Sequence, residues 1–267
     1  MLRKPVASGH FYPQTKEDIL AFIEQNKQES SQRKNALGII LPHAGYVCSG
    51  QVAVKTVGSI IPKKTAVILG PNHGGLGESF SVWANGEWET PVGNIEINKE
   101  LSENILKQSG TLKEDYLAHK FEHSIEVTLP IIKYFLGDFN MVAVSCKAAP
   151  LGVYRKIALE IFNAVKPSLK DMIFFASSDM THYEPDQTVR KKDRQAIDCI
   201  VKLDEEALVA AVKKYGITMC GIAGVAILIA LTKLCGAKKA QVIMYQTSGD
   251  TCSDYNSVVG YAGITIS

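Results

Sequence analysis

Four short, almost wholly apolar runs constrain this chain most: Ala36 to Leu41, Thr65 to Leu69, Met141 to Cys146 and Met172 to Ala176. None alternates apolar with polar positions, as a strand with one wet face would. Each is also shorter than an ordinary helix, so all four read as strands buried on both faces. Such strands belong to parallel sheets, whose crossover connections are helices.

The intervening segments supply those helices. Thr15 is placed to cap a helix with Ile19, Leu20, Phe22 and Ile23 on one stripe, and the polar loop from Gln28 to Lys34 ends it. Ser49 reads as the N-cap of a helix carrying Val52, Val54, Val57 and Ile60, and Asn98 as the cap of one reaching about Gln108. Further helices are expected up to Gly137, over Leu151 to Val165, Thr188 to Val201 and Asp204 to Lys214, and over Ile222 to Leu234, which is apolar enough to be buried on most sides. Phe80 to Ile97, with Trp83, Trp88 and an Asn85-Gly86 turn, reads as a β-hairpin or short antiparallel strands inserted on the sheet. Strands Gln241 to Gln246 and Val258 to Ile266 close the chain. With no repeat and no Pro-, Gly- or Ser-rich linker, the expectation is one α/β domain over residues 1–267. Its central mixed, largely parallel sheet is flanked by helices.

At 267 residues, with 46% hydrophobic and 21% charged residues, the chain can bury one substantial core. A formal charge of +2 gives no reason to expect nucleic acid or an anionic membrane as partner, and Arg190-Lys191-Lys192 reads as a solvated helix face. The longest apolar run, Gly221 to Leu231, falls short of the roughly 20 residues that span a bilayer. The N-terminus lacks the apolar core of a signal peptide. Six cysteines without a Cys-x-x-Cys pair read as free thiols of a reducing compartment, so a cytoplasmic protein is expected.

Loops leaving the carboxyl ends of parallel strands line the ligand crevice of an open α/β sheet. Here those loops deliver His43, His73, Asp179 and His182, while His123, Glu126 and Cys220 stand near helix starts. Imidazole is the commonest metal ligand, and a cysteine at a helix start can serve as a thiolate for a soft metal. Asp179 can orient the His182 imidazole for acid–base work, or the two can be joined by a loop hydrogen bond alone. Single histidines in apolar surroundings are more often hydrogen-bonded core residues, the reading preferred for His10 and His119. His119 and His123 have the spacing that puts two imidazoles on one helix face, a weak signal by itself. The glycines between Gly70 and Gly77 match neither dinucleotide-binding nor Walker A spacing, so nucleotide binding is discounted. Cys252 reads as incidental, and the Trp83–Trp88 pair as hairpin packing.

Five motifs occur in order: Leu41-Pro42-His43-Ala44-Gly45-Tyr46, Gly70-Pro71-Asn72-His73, Glu122-His123-Ser124-Ile125-Glu126-Val127 with Leu129-Pro130, Ser177-Ser178-Asp179-Met180-Thr181-His182-Tyr183, and Met219-Cys220-Gly221. Together they resemble the Memo family over essentially the whole chain, from Gly9-His10-Phe11-Tyr12-Pro13 to Tyr261-Ala262-Gly263. The resemblance implies a fold similar to class III extradiol dioxygenases. It also implies a pocket for iron or copper, with His43, His73 and Cys220 as ligands. It implies that Asp179 and His182 line the same pocket, with His123 and Glu126 beside it as further acid–base groups. Microbial relatives are grouped with a radical SAM protein and an AMMECR1-type protein, which implies a shared pathway. The chain continues Gly221-Ile222-Ala223-Gly224 after Cys220, unlike the animal protein, which weakens any transfer of phosphotyrosine-peptide binding.

Three functional readings follow. The first is a metal-binding protein with redox chemistry. The second is a metal-free module using the same pocket for a peptide or an anionic ligand. The third, extradiol cleavage of a catechol, needs a carboxylate ligand whose place Cys220 would take if it binds the metal. Against all three stands the plain structural alternative, in which these side chains only brace the sheet ends.

Overall fold

The computed structural model describes residues 1–28 and 33–267, so part of the loop expected from Gln28 to Lys34 lies outside the described residues. The four apolar runs form strands Gly38–Leu41, Thr65–Pro71, Asn140–Cys146 and Met172–Ser177. They lie side by side and parallel, with Thr65–Pro71 between Asn140–Cys146 and Met172–Ser177, and Gly38–Leu41 next to the latter. All but their outermost residues are buried, because helices cover both sheet faces.

Antiparallel strands extend this parallel centre. Val258–Ile266 runs along Gly38–Leu41, with Ile264 opposite Ile40, and Ala240–Thr247 pairs with its far side. On the opposite flank, Glu87–Trp88 and Ile95–Ile97 make the expected hairpin, with Ile95–Ile97 alongside Asn140–Cys146. Phe80–Trp83 takes no part in that hairpin; it pairs antiparallel with Asn140–Cys146, where all four of its residues are buried. The sheet is therefore mixed and parallel at its centre, as expected.

One core lies on each face. On the first, helix Ile222–Leu234 packs against the sheet and against helices Leu151–Val165 and Glu205–Tyr215, burying Ala223 to Thr232. Each buried Ile, Leu or Val there contributes about 1.5–3 kcal/mol, and Leu228→Ala would cost about 2–5 kcal/mol through the cavity left behind. Gly38 permits the close approach: a side chain there would meet Thr232 and Leu228 at 2.8 and 3.2 Å. On the second face, helices Lys16–Asn26, Gln51–Gly58 and Leu129–Leu136 bury Ile19, Ile23, Val54, Val57 and Ile132. Thr15 and Asn98 cap helices as expected, through hydrogen bonds from Asp18 N–H and Leu101 N–H.

Ser49 is not an N-cap. A π-helical turn, Tyr46–Gly50, precedes Gln51–Gly58 and runs straight into it, and the Ser49 hydroxyl donates to the Ala44 carbonyl at 2.9 Å. The turn starts early because Phe11 O already accepts from Tyr46 N–H at 2.8 Å. No helix among the described residues is long and apolar enough to cross a membrane.

Candidate metal centre

Parallel strands end on the same side of the sheet, and the chain places His43, His73 and Asp179 each two residues past such an end. Beyond these ends lies a cavity of about 680 Å³, lined by His43, His73, His123, Asp179, His182 and Cys220 together with Phe11, Cys48 and Tyr261. Helix Ile222–Leu234 brings Cys220 to it. Gly221 makes that position reachable, since a Cβ there would sit 2.3 Å from Ser177 O and 2.5 Å from Ser178 Cβ. Its N–H donates to Ser178 Oγ at 3.0 Å instead.

One ligand atom each from His43, His73 and Cys220 lies within 4.8 Å of the others. Hydrogen bonds fix which imidazole atoms are free. Ser177 Oγ donates to Ser124 O at 2.7 Å, so at 2.7 Å from His43 Nδ1 it is left to accept. His43 therefore carries its proton on Nδ1 and a lone pair on Nε2, which sits 3.4 Å from Cys220 Sγ. Glu122 Oε1 accepts from His73 Nδ1 at 2.9 Å, and its other oxygen from His73 N–H at 2.6 Å, which again frees Nε2. At His182 the Thr218 carbonyl, 2.9 Å from Nδ1, can only accept, with the same result. Tying back the second nitrogen of each ring is how metal-binding histidines are held, so these residues fit a soft or borderline transition-metal ion.

The electrostatics favour coordination most directly at His43. Burial lowers the His43 pKa to about 4, keeping the ring neutral and able to coordinate at pH 7. Burial also lowers His123. At His73 burial pushes the same way, but the Glu122 hydrogen bond outweighs it and the net shift is upward. Burial would raise Glu122, yet its bonds from His73 and the backbone hold it at about 2. Burial and then nearby Asp179 push the Cys220 thiol well above its usual range. Its proton therefore stays until a cation arrives to stabilise the thiolate. Asp179 Oδ1 accepts from His43 N–H at 2.8 Å and Ala44 N–H at 3.3 Å, while Oδ2 lies 4.0 Å from His43 Nε2. Asp179, His182 and Cys220 also place one ligand atom each within 4.8 Å of one another.

Six of the seven residues singled out from the sequence thus meet in one cavity. Glu126 does not join them. Its carboxylate is 1% exposed and accepts from Arg3 Nη1 at 2.7 Å, Ala7 N–H at 2.8 Å, Val6 N–H at 2.9 Å and Tyr12 OH at 2.9 Å, which fastens the N-terminal segment. His119 and His123 do not share a helix face, because helix Leu117–Lys120 ends before His123. His119 is the core residue expected, 3.1 Å from Ser81 Oγ and beside Trp83 and Trp88. His10, read as a core residue, is exposed on its turn. Glu122 was missed, although it directly precedes His123 in the same motif. Tyr261 was missed too, since nothing in an apolar terminal strand distinguishes a tyrosine that faces the cavity.

Fold and site together define an α/β protein with a two-histidine, one-cysteine candidate metal centre at the carboxyl ends of parallel strands. The chain belongs to the Memo family: the family model described as Memo-like protein matches residues 3–265. A MEMO1 family protein of Methanopyrus kandleri is 37% identical over 278 residues, covering 99% of this chain and 98% of its own. One from Ignicoccus hospitalis is 37% identical over 279 residues, with 99% and 98% covered. The crystal structure of an uncharacterized Escherichia coli K12 protein superimposes with a TM-score of 0.55, covering 84% of this chain and 98% of its own. At 12% identity that likeness is one of fold alone.

Proposed function

We propose that this chain is a metal-dependent redox enzyme whose iron or copper ion is held by His43, His73 and Cys220. The observation that carries this reading is the convergence of these three side chains within 4.8 Å, with Nδ1 of both rings tied to Ser177 and Glu122. When bound, such an ion supplies one-electron chemistry and Lewis acidity, and a thiolate ligand favours copper or electron transfer over oxygen activation on iron.

The chain's own residues do the rest. His182 takes or gives a proton at Nε2 while Nδ1–H stays on the Thr218 carbonyl. Asp179 holds the His43 loop through Oδ1 and keeps Oδ2 for the proton. His123 stacks on His73 at 4.8 Å and meets Phe11 at a tilt at 4.5 Å, which holds its ring against the cavity wall. A cavity of about 680 Å³ suits a small-molecule substrate. Six cysteines without a disulfide support a reducing, cytoplasmic setting.

The test is metal analysis of protein purified without chelator or affinity metal, beside His43→Ala and Cys220→Ser. About one equivalent of iron or copper, lost in both variants, is expected. Unchanged metal content in a His43→Ala, His73→Ala double variant would overturn the reading.

A second reading, a metal-free module that binds a peptide, draws on the exposed apolar side chains near the cavity: Tyr183, which lines it and is 76% exposed, and Val47, 78% exposed. Tight peptide binding by demetallated protein would favour it. Extradiol cleavage ranks last, and activity of iron-loaded protein on a catechol panel in air would move it forward.

A further inference from the structure

We propose that Cys48, on the cavity wall, and Cys252, on the turn packed against it, are a redox-active pair, closed to a disulfide by a hydroperoxide and reopened by a small thiol. Neither belongs to the ligand set, so the pair stands whether or not the metal reading does.

Two short turns carry the pair. Cys48 sits in Tyr46–Gly50, the turn that follows the His43 loop, and Cys252 ends Gly249–Cys252, which packs against it. Burial and then the neighbouring Cys252 push the Cys48 thiol up, while the side chains of Thr251 and Tyr261 beside it push the other way. Cys252 Sγ lies 3.6 Å from Thr251 Oγ1. Gln246 Nε2 donates to Cys48 O at 2.7 Å, which fixes the first turn against the strand leading to the second. Cys48 also lines the cavity. The remaining cysteines have no such arrangement: Cys146 is buried, Cys220 belongs to the candidate centre, and Cys199 and Cys235 lie at helices away from it.

Exposure assigns the roles. Cys252 is exposed and meets the oxidant first; Cys48 is half-buried and resolves. The Cys252 thiolate attacks a peroxide oxygen, the O–O bond breaks, and the alcohol (water, for hydrogen peroxide) leaves with a proton. The Cys48 thiol then attacks Sγ of the Cys252 sulfenic acid and gives its proton to the departing hydroxyl, so that S–S forms, S–O breaks and water leaves. Overall two thiols and one hydroperoxide give one disulfide, one alcohol and one water, a two-electron oxidation. Two equivalents of a small thiol reverse it by exchange. The bond ties the turn that carries Cys48, which lines the cavity, to the turn that follows Ser248, which also lines it.

The experiment treats the full chain with about one equivalent of hydrogen peroxide, blocks remaining thiols by alkylation, and maps the digest by mass spectrometry. A peptide linking Cys48 to Cys252 is expected, with two of the six thiols lost to denaturing titration and regained with dithiothreitol. Cys252→Ser and Cys48→Ser should both abolish the link, and Cys235→Ser should keep it. Cys252 driven to sulfinic acid while Cys48 stays a thiol would overturn the proposal, as would a bond joining two copies of the chain.

Discussion

Between Leu117 and Thr128 the chain carries two histidines and two glutamates whose fates are opposite. His119 and Glu126 turn into the fold. Glu126 neutralises a buried Arg3, whose guanidinium also donates to the carbonyls of His119 and Glu122 and lies 4.0 Å above Trp88. Glu122 and His123 turn to the cavity, where Glu122 holds His73 and His123 stacks on it. Both glutamates are buried and well bonded, Glu126 by Arg3, Val6, Ala7 and Tyr12 and Glu122 by His73 and Ser124. What separates them is what lies beyond the bond: past Glu126 is a closed cation with every direction filled, and past Glu122 is an imidazole with a free nitrogen at a cavity. A buried charge marks a brace as readily as a site, and the free atom makes the difference.

The largest expected effect breaks the brace. Glu126→Gln leaves the Arg3 guanidinium buried without its counter-charge and should destabilise the protein by about 3–5 kcal/mol, read by denaturant unfolding. Metal bound per folded molecule should not change. If stability held and metal were lost instead, the two halves of the segment would not be separable.

Acid should find the same weakness. Burial, then Arg3, lowers His119 from 6.5 to about 4. The unfolded chain therefore takes up a proton below pH 6.5 that the folded chain refuses. Stability contributed by the neutral ring is full above pH 6.5 and lost as pH falls toward about 4, by roughly 3 kcal/mol. Glu122 runs differently: its pKa is held at about 2, so its contribution persists until pH falls below the ordinary carboxyl value of 4.5. Unfolding of metal-free protein across this range should show a decline that is shallower in His119→Gln. Next in size, Glu122→Gln keeps the shape but weakens the hold on His73. It should cost about 10–100-fold in metal affinity by chelator competition, with a much smaller change in stability than Glu126→Gln.

These contrasts also show where the sequence stops being legible. The four parallel strands and the helices from Leu151 to Val165 and Ile222 to Leu234 could be read because apolar runs and caps are local signals. His43, His73 and Asp179 could be read because the end of a parallel strand is itself a position in space. Glu122 and Glu126 could not be told apart, since Glu126 is claimed by Arg3, 123 residues away. Tyr261 reaches the cavity only because Val258–Ile266 runs antiparallel to Gly38–Leu41, an orientation that a buried apolar run does not announce. His119 and His123 shared a helical spacing that the chain ends at Lys120.

The smallest expected effect is the sharpest comparison, because it changes one hydroxyl in each region. Ser177 stands between His43 Nδ1 and Ser124 O, with both contacts at 2.7 Å, and Ser81 stands 3.1 Å from His119 Nε2. Either serine replaced by alanine removes a buried hydrogen bond and should cost about 0.5–1.5 kcal/mol of stability. In Ser177→Ala the His43 imidazole also loses the acceptor that keeps its proton on Nδ1, so part of the population presents a protonated Nε2 to the ion. Metal affinity should fall by about tenfold, at the lower end of what outer-sphere partners contribute. In Ser81→Ala, affinity should stay at the parent value, since His119 aims no free atom at the cavity. Equal affinity losses in both variants would mean that the centre responds to loosening anywhere in the fold, and that the hydrogen bond to His43 has no separate role in presenting its nitrogen.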